Sequence, residues 1–224
     1  MKRTKLANRT LPRYTKGEEI MNMVTHIVGG GFGILILLIC CLLSFQRGSL
    51  ASILGSVIYG VSMITVYGIS SIYHGLRAGT AKKVLQVIDH CMIYFLIAGT
   101  YTPILLVSFV PAVPYIGWGL LAAEWGLGIL AATLTAIDLK RYQVFSMICY
   151  ILMGWGIIFF LPTALSLLTP AGFYLLLSGG IVYTVGAIAY GIGAKIPWIH
   201  SIFHIFVVLG SLLQFLAIYG YVLT

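Results

Sequence analysis

WIHSIFHIFVVLGSLLQFLAIYGYV, the stretch from Trp198 to Val222, contains no acid, lysine or arginine, and its first turns hold two histidines. Read as an α-helix rising 1.5 Å per residue, it is long enough to cross a hydrocarbon core of about 30 Å. The helical period then sets His200 and His204 one turn apart on one face, a spacing that can chelate a single metal ion. Imidazole is costly in hydrocarbon unless it is paired, hydrated or bound, so ionisable groups inside spans mark functional candidates. Two ligands do not complete a tetrahedral site. On this pair alone, metal binding and two interfacial histidines hydrogen-bonded to water stand about equal.

Further apolar runs lie at about 21–45, 50–75, 84–109, 112–137, 142–161 and 171–193, and with 197–222 they make seven. Backbone groups in lipid must be satisfied within the segment, which points to an all-α, polytopic bundle of seven transmembrane helices. The period-two alternation of a β-barrel is absent. With 60% apolar and 8% charged residues, the composition excludes an ordinary soluble domain. Thirteen basic residues against five acidic would suggest nucleic acid in a soluble protein, but here they occupy short segments between spans and act as topology determinants. No nucleic-acid partner is expected. Cys40, Cys41, Cys91 and Cys149 sit inside apolar runs without metal or redox spacing and read as packing residues. The first run is long and lacks a small-residue cleavage site, so an anchor rather than a signal peptide is expected.

Residues 1–17 carry Lys2, Arg3, Lys5, Arg9, Arg13 and Lys16 and read as a flexible basic tail near anionic inner-leaflet headgroups. Residues 18–224 then form the membrane domain. Arg77, Lys82, Lys83, Lys140, Arg141 and Lys195 fall on the tail's side, whereas the other side has only Arg47. The positive-inside rule therefore predicts a multi-pass plasma (inner) membrane protein, N-terminus cytoplasmic and C-terminus outside. Gly29 and Gly33, four apart, predict close helix packing within the bundle.

On this topology His74, at the end of the second span, and Asp89, early in the third, reach the depth of His200 and His204. Ser70 and Ser71 lie about a turn before His74 and face the same space. Three histidines with one open position is the donor set of catalytic zinc, with Asp89 beside the metal to manage a proton. Iron held by two histidines and a carboxylate is the competing assignment. Glu19, Asn22 and His26 share one face of the first helix. They either line the same cavity or, in the case of Glu19 and Asn22, face water and cap the first turn. His90 points about 100° away from Asp89 and is left out of the metal shell. Glu124, near mid-span, reads as a neutral, hydrogen-bonded acid, with an ion path as the alternative. Pro103, after Thr100-Tyr101-Thr102, predicts a kink.

Four ordered motifs carry a resemblance: Glu19-x-x-Asn22-x-x-Thr25-His26, Ser70-Ser71-Ile72-Tyr73-His74, Asp89-His90-Cys91-Met92-Ile93-Tyr94 running into Ala98-Gly99-Thr100-Tyr101-Thr102-Pro103, and His200-Ser201-Ile202-Phe203-His204. Together they resemble the hemolysin III family, which is similar to the progestin and adipoQ receptors and, more distantly, to the alkaline ceramidases. The resemblance implies seven helices and a Zn2+ bound by His74, His200 and His204, with Asp89 and Ser70 beside the metal's open position. Gln214 stands where close relatives often have a further histidine, so a proton-transfer role is not carried over to it. The expected function is zinc-dependent hydrolysis of a membrane lipid amide or ester, with a part in membrane lipid and fluidity homeostasis. The alternatives are a non-enzymatic cytolysin or a membrane-state sensor with structural zinc.

Overall fold

A computed structural model describes residue 4 and residues 6–193 and 196–224, and all regular structure among them is helical. Lys2, Arg3, Lys5 and Lys195, which contributed to the topology expectation, lie outside the described residues. The main helices are α1 (Lys16–Arg47), α2 (Leu50–Gly75), α3 (Thr80–Ile104), α4 (Pro114–Ile137), α5 (Gln143–Gly154), α6 (Leu161–Gly193) and α7 (Ile199–Tyr221).

Local chemistry sets their ends. Thr15 and Glu18 form a reciprocal capping box at the start of α1, and Gly48 ends the helix in the left-handed region at φ 64°. Ser49 caps α2. Pro103 lacks the N–H that α3 needs, and the chain widens into a π turn over Leu105–Phe109 before continuing to Ala112. The kink expected there thus takes the form of a π turn. After α5 the chain tightens into a 3-10 stretch, Gly156–Phe160, and α6 is broken at Thr169 (φ 58°, ψ 159°), whose extended ψ suits the residue before Pro170.

Among the described residues, six helical segments are long and apolar enough to cross a membrane. Five cover one helix each, and the sixth, Gln143–Gly191, runs for 49 residues. At 1.5 Å per residue this segment would measure about 70 Å if straight, more than twice a bilayer core of about 30 Å.

The helices pack in chain order and close into a ring, with α7 returning against α1. Of the spans, the one containing α3 is the most buried, and α3 touches α2, α4, α5 and α7. Small residues permit the close contacts, as the sequence predicts. A Cβ on Gly29 would lie 2.7 Å from the Tyr67 ring, and one on Gly33 would lie 3.2 Å from the Ile64 backbone nitrogen. Ile27, Val28, Leu35, Leu38 and Leu42 of α1 face outward and form an exposed apolar stripe.

The N-terminal segment differs from the flexible tail expected. Leu6–Asn8 forms a 3-10 turn; the Thr4 N–H donates to Asp138 Oδ2 (2.7 Å), Lys83 Nζ to the Ala7 carbonyl (2.8 Å) and Arg9 to the Ile137 carbonyl (3.4 Å). The segment is laid across the basic end of the bundle, from the α4–α5 turn to the start of α1. The Thr4 N–H, helped by that of Arg141, holds the Asp138 carboxyl below the usual carboxylate range. A depressed folded-state pKa means that this latch is at full strength above the ordinary value of about 3.9 and is lost as pH falls through the folded value. Trypsin should therefore cut at Arg9 and Arg13 faster in Asp138→Ala than in the wild type at neutral pH. Equal rates would show that Asp138 does not hold the segment.

Candidate metal centre

Four helices bring their basic ends together here. The ends of α1 and α7 are joined through Glu18. Its Oε1 accepts the Trp198 N–H (2.7 Å), and its Oε2 accepts the Thr15 N–H and hydroxyl (both 2.8 Å). Trp198 itself is left-handed at φ 67° and precedes the first residue of α7, so Pro197 lies ahead of the helix rather than in its first turn. This join places His200 and His204 opposite the last turn of α2.

His74, on that turn, directs Nδ1 to Glu19 Oε2 at 2.7 Å. An ionised carboxylate only accepts, so Nδ1 donates its N–H to Glu19 and Nε2 is the ring nitrogen left to face the cluster. His74 Nε2 is buried and has no hydrogen-bond partner. Lys82 completes the support: Nζ donates to Glu19 Oε1 (2.6 Å), the Leu76 carbonyl (3.0 Å) and the His74 carbonyl (3.4 Å). Glu19 is thus held between an ammonium and an imidazole, the arrangement by which a carboxylate orients a metal-binding histidine.

One ring nitrogen from each of His74, His200 and His204 lies within 4.8 Å of the other two, and all three side chains are buried. The Nε2 atoms of His200 and His204 are 3.1 Å apart. With Zn–N bonds of 2.0–2.1 Å, two corners of a tetrahedral site lie about 3.3 Å apart. The unpartnered Nε2 of His74 and the close approach of two imidazole nitrogens fit a metal-binding cluster.

Around the cluster, Asn22 is fully buried with Nδ2 3.4 Å from His74 Nδ1. The His26 ring lies 3.9 Å from that of His204 and edge-on to Tyr67, with both nitrogens unpartnered. The Glu19, Asn22 and His26 face therefore turns toward the cluster. Asp89 and Ser70 line the adjoining cavity, the carboxylate against the hydroxyl. Ser71 instead bonds the Tyr67 carbonyl (2.7 Å). His90 bonds the Gln86 carbonyl (2.7 Å) and the Tyr190 hydroxyl (2.9 Å) and stands outside the three-histidine cluster.

The cavity, about 210 Å³, runs from His200, Asp89 and Ser70 into the bundle past Ile97, Phe173 and Leu177. Tyr14 covers its basic end, stacked on His200 with centroids 4.8 Å apart and planes at 17°. Burial raises the Tyr14 phenol above its ordinary pKa, so it stays neutral. Tyr14 and His74 also border a second cavity toward the tail side, rimmed by Arg13, Arg77 and Lys82.

Sequence reasoning assigned no part in the site to Glu18, Lys82 or Tyr14. Only the capping-box pattern at Thr15 and Glu18 was available as a local signal. Glu124 lies away from the cluster, buried, and its Oε2 has no partner among the described residues. The hydrogen bond expected for it is missing at that oxygen.

Known proteins are similar to this chain in sequence. The chain is 39% identical over 206 residues to Hemolysin-3 of Bacillus cereus, covering 92% of each chain. It is 38% identical over 208 residues to the Hemolysin-3 homolog of Bacillus subtilis, covering 93% of this chain and 96% of that one. A weaker similarity, 25% over 174 residues, links it to human Monocyte to macrophage differentiation factor, with 73% and 68% covered. The sequence profile described as Haemolysin-III related matches residues 14–215, from Tyr14 over the cavity to the last turns of α7. With apolar helices long enough to span and a match that takes in the whole histidine cluster, this chain is a multi-pass membrane protein that belongs to the haemolysin III family.

Proposed function

We propose that the protein is a zinc-dependent hydrolase of a lipid amide or ester, embedded in the bacterial inner membrane. The observation that carries this reading is a buried three-histidine cluster opening, beside a carboxylate and a hydroxyl, onto a long and mostly apolar cavity. Polar groups at one end and hydrocarbon walls along the rest suit an acyl chain whose carbonyl stops at the histidines.

Zn2+ held by His74, His200 and His204 would supply Lewis-acid polarisation of the carbonyl and a nucleophile from water at neutral pH. Asp89 takes the proton of the attacking water and returns it to the departing amine or alkoxide, as the C–O bond to the carbonyl carbon forms and the bond to the leaving group breaks. Ser70 holds the Asp89 carboxylate, Glu19 fixes the His74 ring, and Tyr14 limits water at the mouth. The products are a fatty acid and an amine or alcohol.

In the bilayer, Gln143–Gly191 makes two crossings with Thr169 at the reversal, giving seven in all. The basic end then faces the cytoplasm and the C-terminus lies outside, with Arg13, Lys16 and Arg77 near anionic inner-leaflet headgroups. The test is release of free fatty acid from N-acyl and O-acyl lipids by purified, zinc-loaded protein. No release above a protein-free control across such a panel would overturn the reading. The Hemolysin-3 relatives support a second one, a cytolysin. Dye release from liposomes that persists in a variant without its histidines would favour it.

A further inference from the structure

The cavity's polar groups divide into two sets. Near the histidines, His26, His204 and Gln86 each leave a buried atom unpartnered. Further in, the hydroxyls have partners. Tyr183 pairs with Ser211 (2.7 Å), Thr184 donates to the Gly180 carbonyl (2.8 Å), Thr100 to the Leu96 carbonyl (2.7 Å) and Tyr101 to the Gly154 carbonyl (3.1 Å). Gln214 differs. Its Oε1 is buried with no partner, although the residue is only 8% exposed and lines the cavity.

The orientation of this amide is fixed. Nε2 donates to the Leu176 carbonyl at 3.0 Å, which can only accept, so Oε1 is the acceptor left over. The side chain rests on Gly179, where a Cβ would come within 2.8 Å of Nε2, so α6 yields the space the amide occupies. Ten residues beyond His204 on α7, it stands about 15 Å further into the bundle. An acceptor held in place in an apolar channel is satisfied by a ligand that brings a donor to that depth.

We propose that Gln214 Oε1 accepts a hydrogen bond from a hydroxyl carried part-way along the ligand's acyl chain, so that the cavity selects mid-chain hydroxylated lipids over plain ones. This rests on the lipid-hydrolase reading and names its substrate class. With the carbonyl at the histidines, the hydroxyl falls about 15 Å along the chain, beyond any headgroup. A site built around a substrate hydroxyl rejects the analogue that lacks it, because its own polar group is then left unpaired.

The probes are octadecanoic acid, its mid-chain hydroxy derivative and its 2-hydroxy isomer, which as products are not consumed. Their affinities are read from the concentration dependence of the thermal unfolding midpoint of the purified protein. The mid-chain isomer should bind about tenfold or more tighter than the other two. In Gln214→Met, nearly isosteric but without the acceptor, and in Gln214→Leu, that preference should vanish while the plain acid binds at least as well. Equal affinities for the three acids in the wild type, or a preference that survives in either variant, would overturn the proposal and leave the hydrolase reading intact. If none of the acids binds, no acyl chain occupies the cavity and both fall. The wild-type comparison decides even if neither variant folds.

Discussion

The purified protein should carry about one zinc per chain and His200→Ala should lose it, because two imidazoles cannot complete a tetrahedral site. The loss should be near complete, since His200 is one of only three side chains whose ring nitrogens lie within 4.8 Å of one another in the described cluster, its Nε2 3.1 Å from that of His204. Glu19→Gln is the graded case. It keeps the shape but weakens the acceptor that orients His74, and should lower zinc affinity about 10–100-fold. It also leaves Lys82, whose Nζ is 2.6 Å from Glu19, buried without its counter-charge, so some loss of stability accompanies the loss of metal. Metal analysis of purified protein reads both effects. Full zinc retention by a variant lacking His74, His200 and His204 would end the metal assignment.

Much of this site was legible because it rests on local periodicity. His200 and His204 are paired by the helical period, and the count of basic residues brought His74 and Asp89 to their depth. The Glu19, Asn22 and His26 face was drawn from the same period, and the structure turns it inward. What could not be read depends on contacts remote in sequence. Lys82 looks like any positive-inside residue, yet its ammonium is buried on a carboxylate 63 positions away. Tyr14 belongs to a stretch with the composition of a loose tail, and its place over His200 is a ring contact between opposite ends of the chain.

The fold shows the same division. Outside the stretch from Gln143 to Gly193 the apolar runs matched the helices to within about five residues, because hydrocarbon length and helical rise are properties of a single segment. The stretch after Gln143 was harder. The gap between the runs at 142–161 and 171–193 is helical up to Thr169, and there one residue with a positive φ breaks the helix.

Asp89→Asn separates catalysis from metal binding, and it should lower lipid hydrolysis by about 10²–10⁴ with zinc content unchanged. The carboxamide fills the same volume and can still meet the Ser70 hydroxyl, but it cannot take a proton from water or return one to a leaving group. Ser70→Ala should cost far less, on the order of tenfold, because it removes one neighbouring hydroxyl and leaves the carboxylate itself in place. The ranking matters more than either size. If Asp89 were only a structural partner of His90, 3.9 Å away, its loss would lower thermal stability and activity together, and Ser70→Ala would track neither. If zinc were structural, Asp89→Asn would leave any measured activity where it was. Fatty-acid release measured alongside zinc content and unfolding temperature distinguishes the three, and undiminished hydrolysis in a zinc-loaded Asp89→Asn protein would remove the carboxylate from the chemistry.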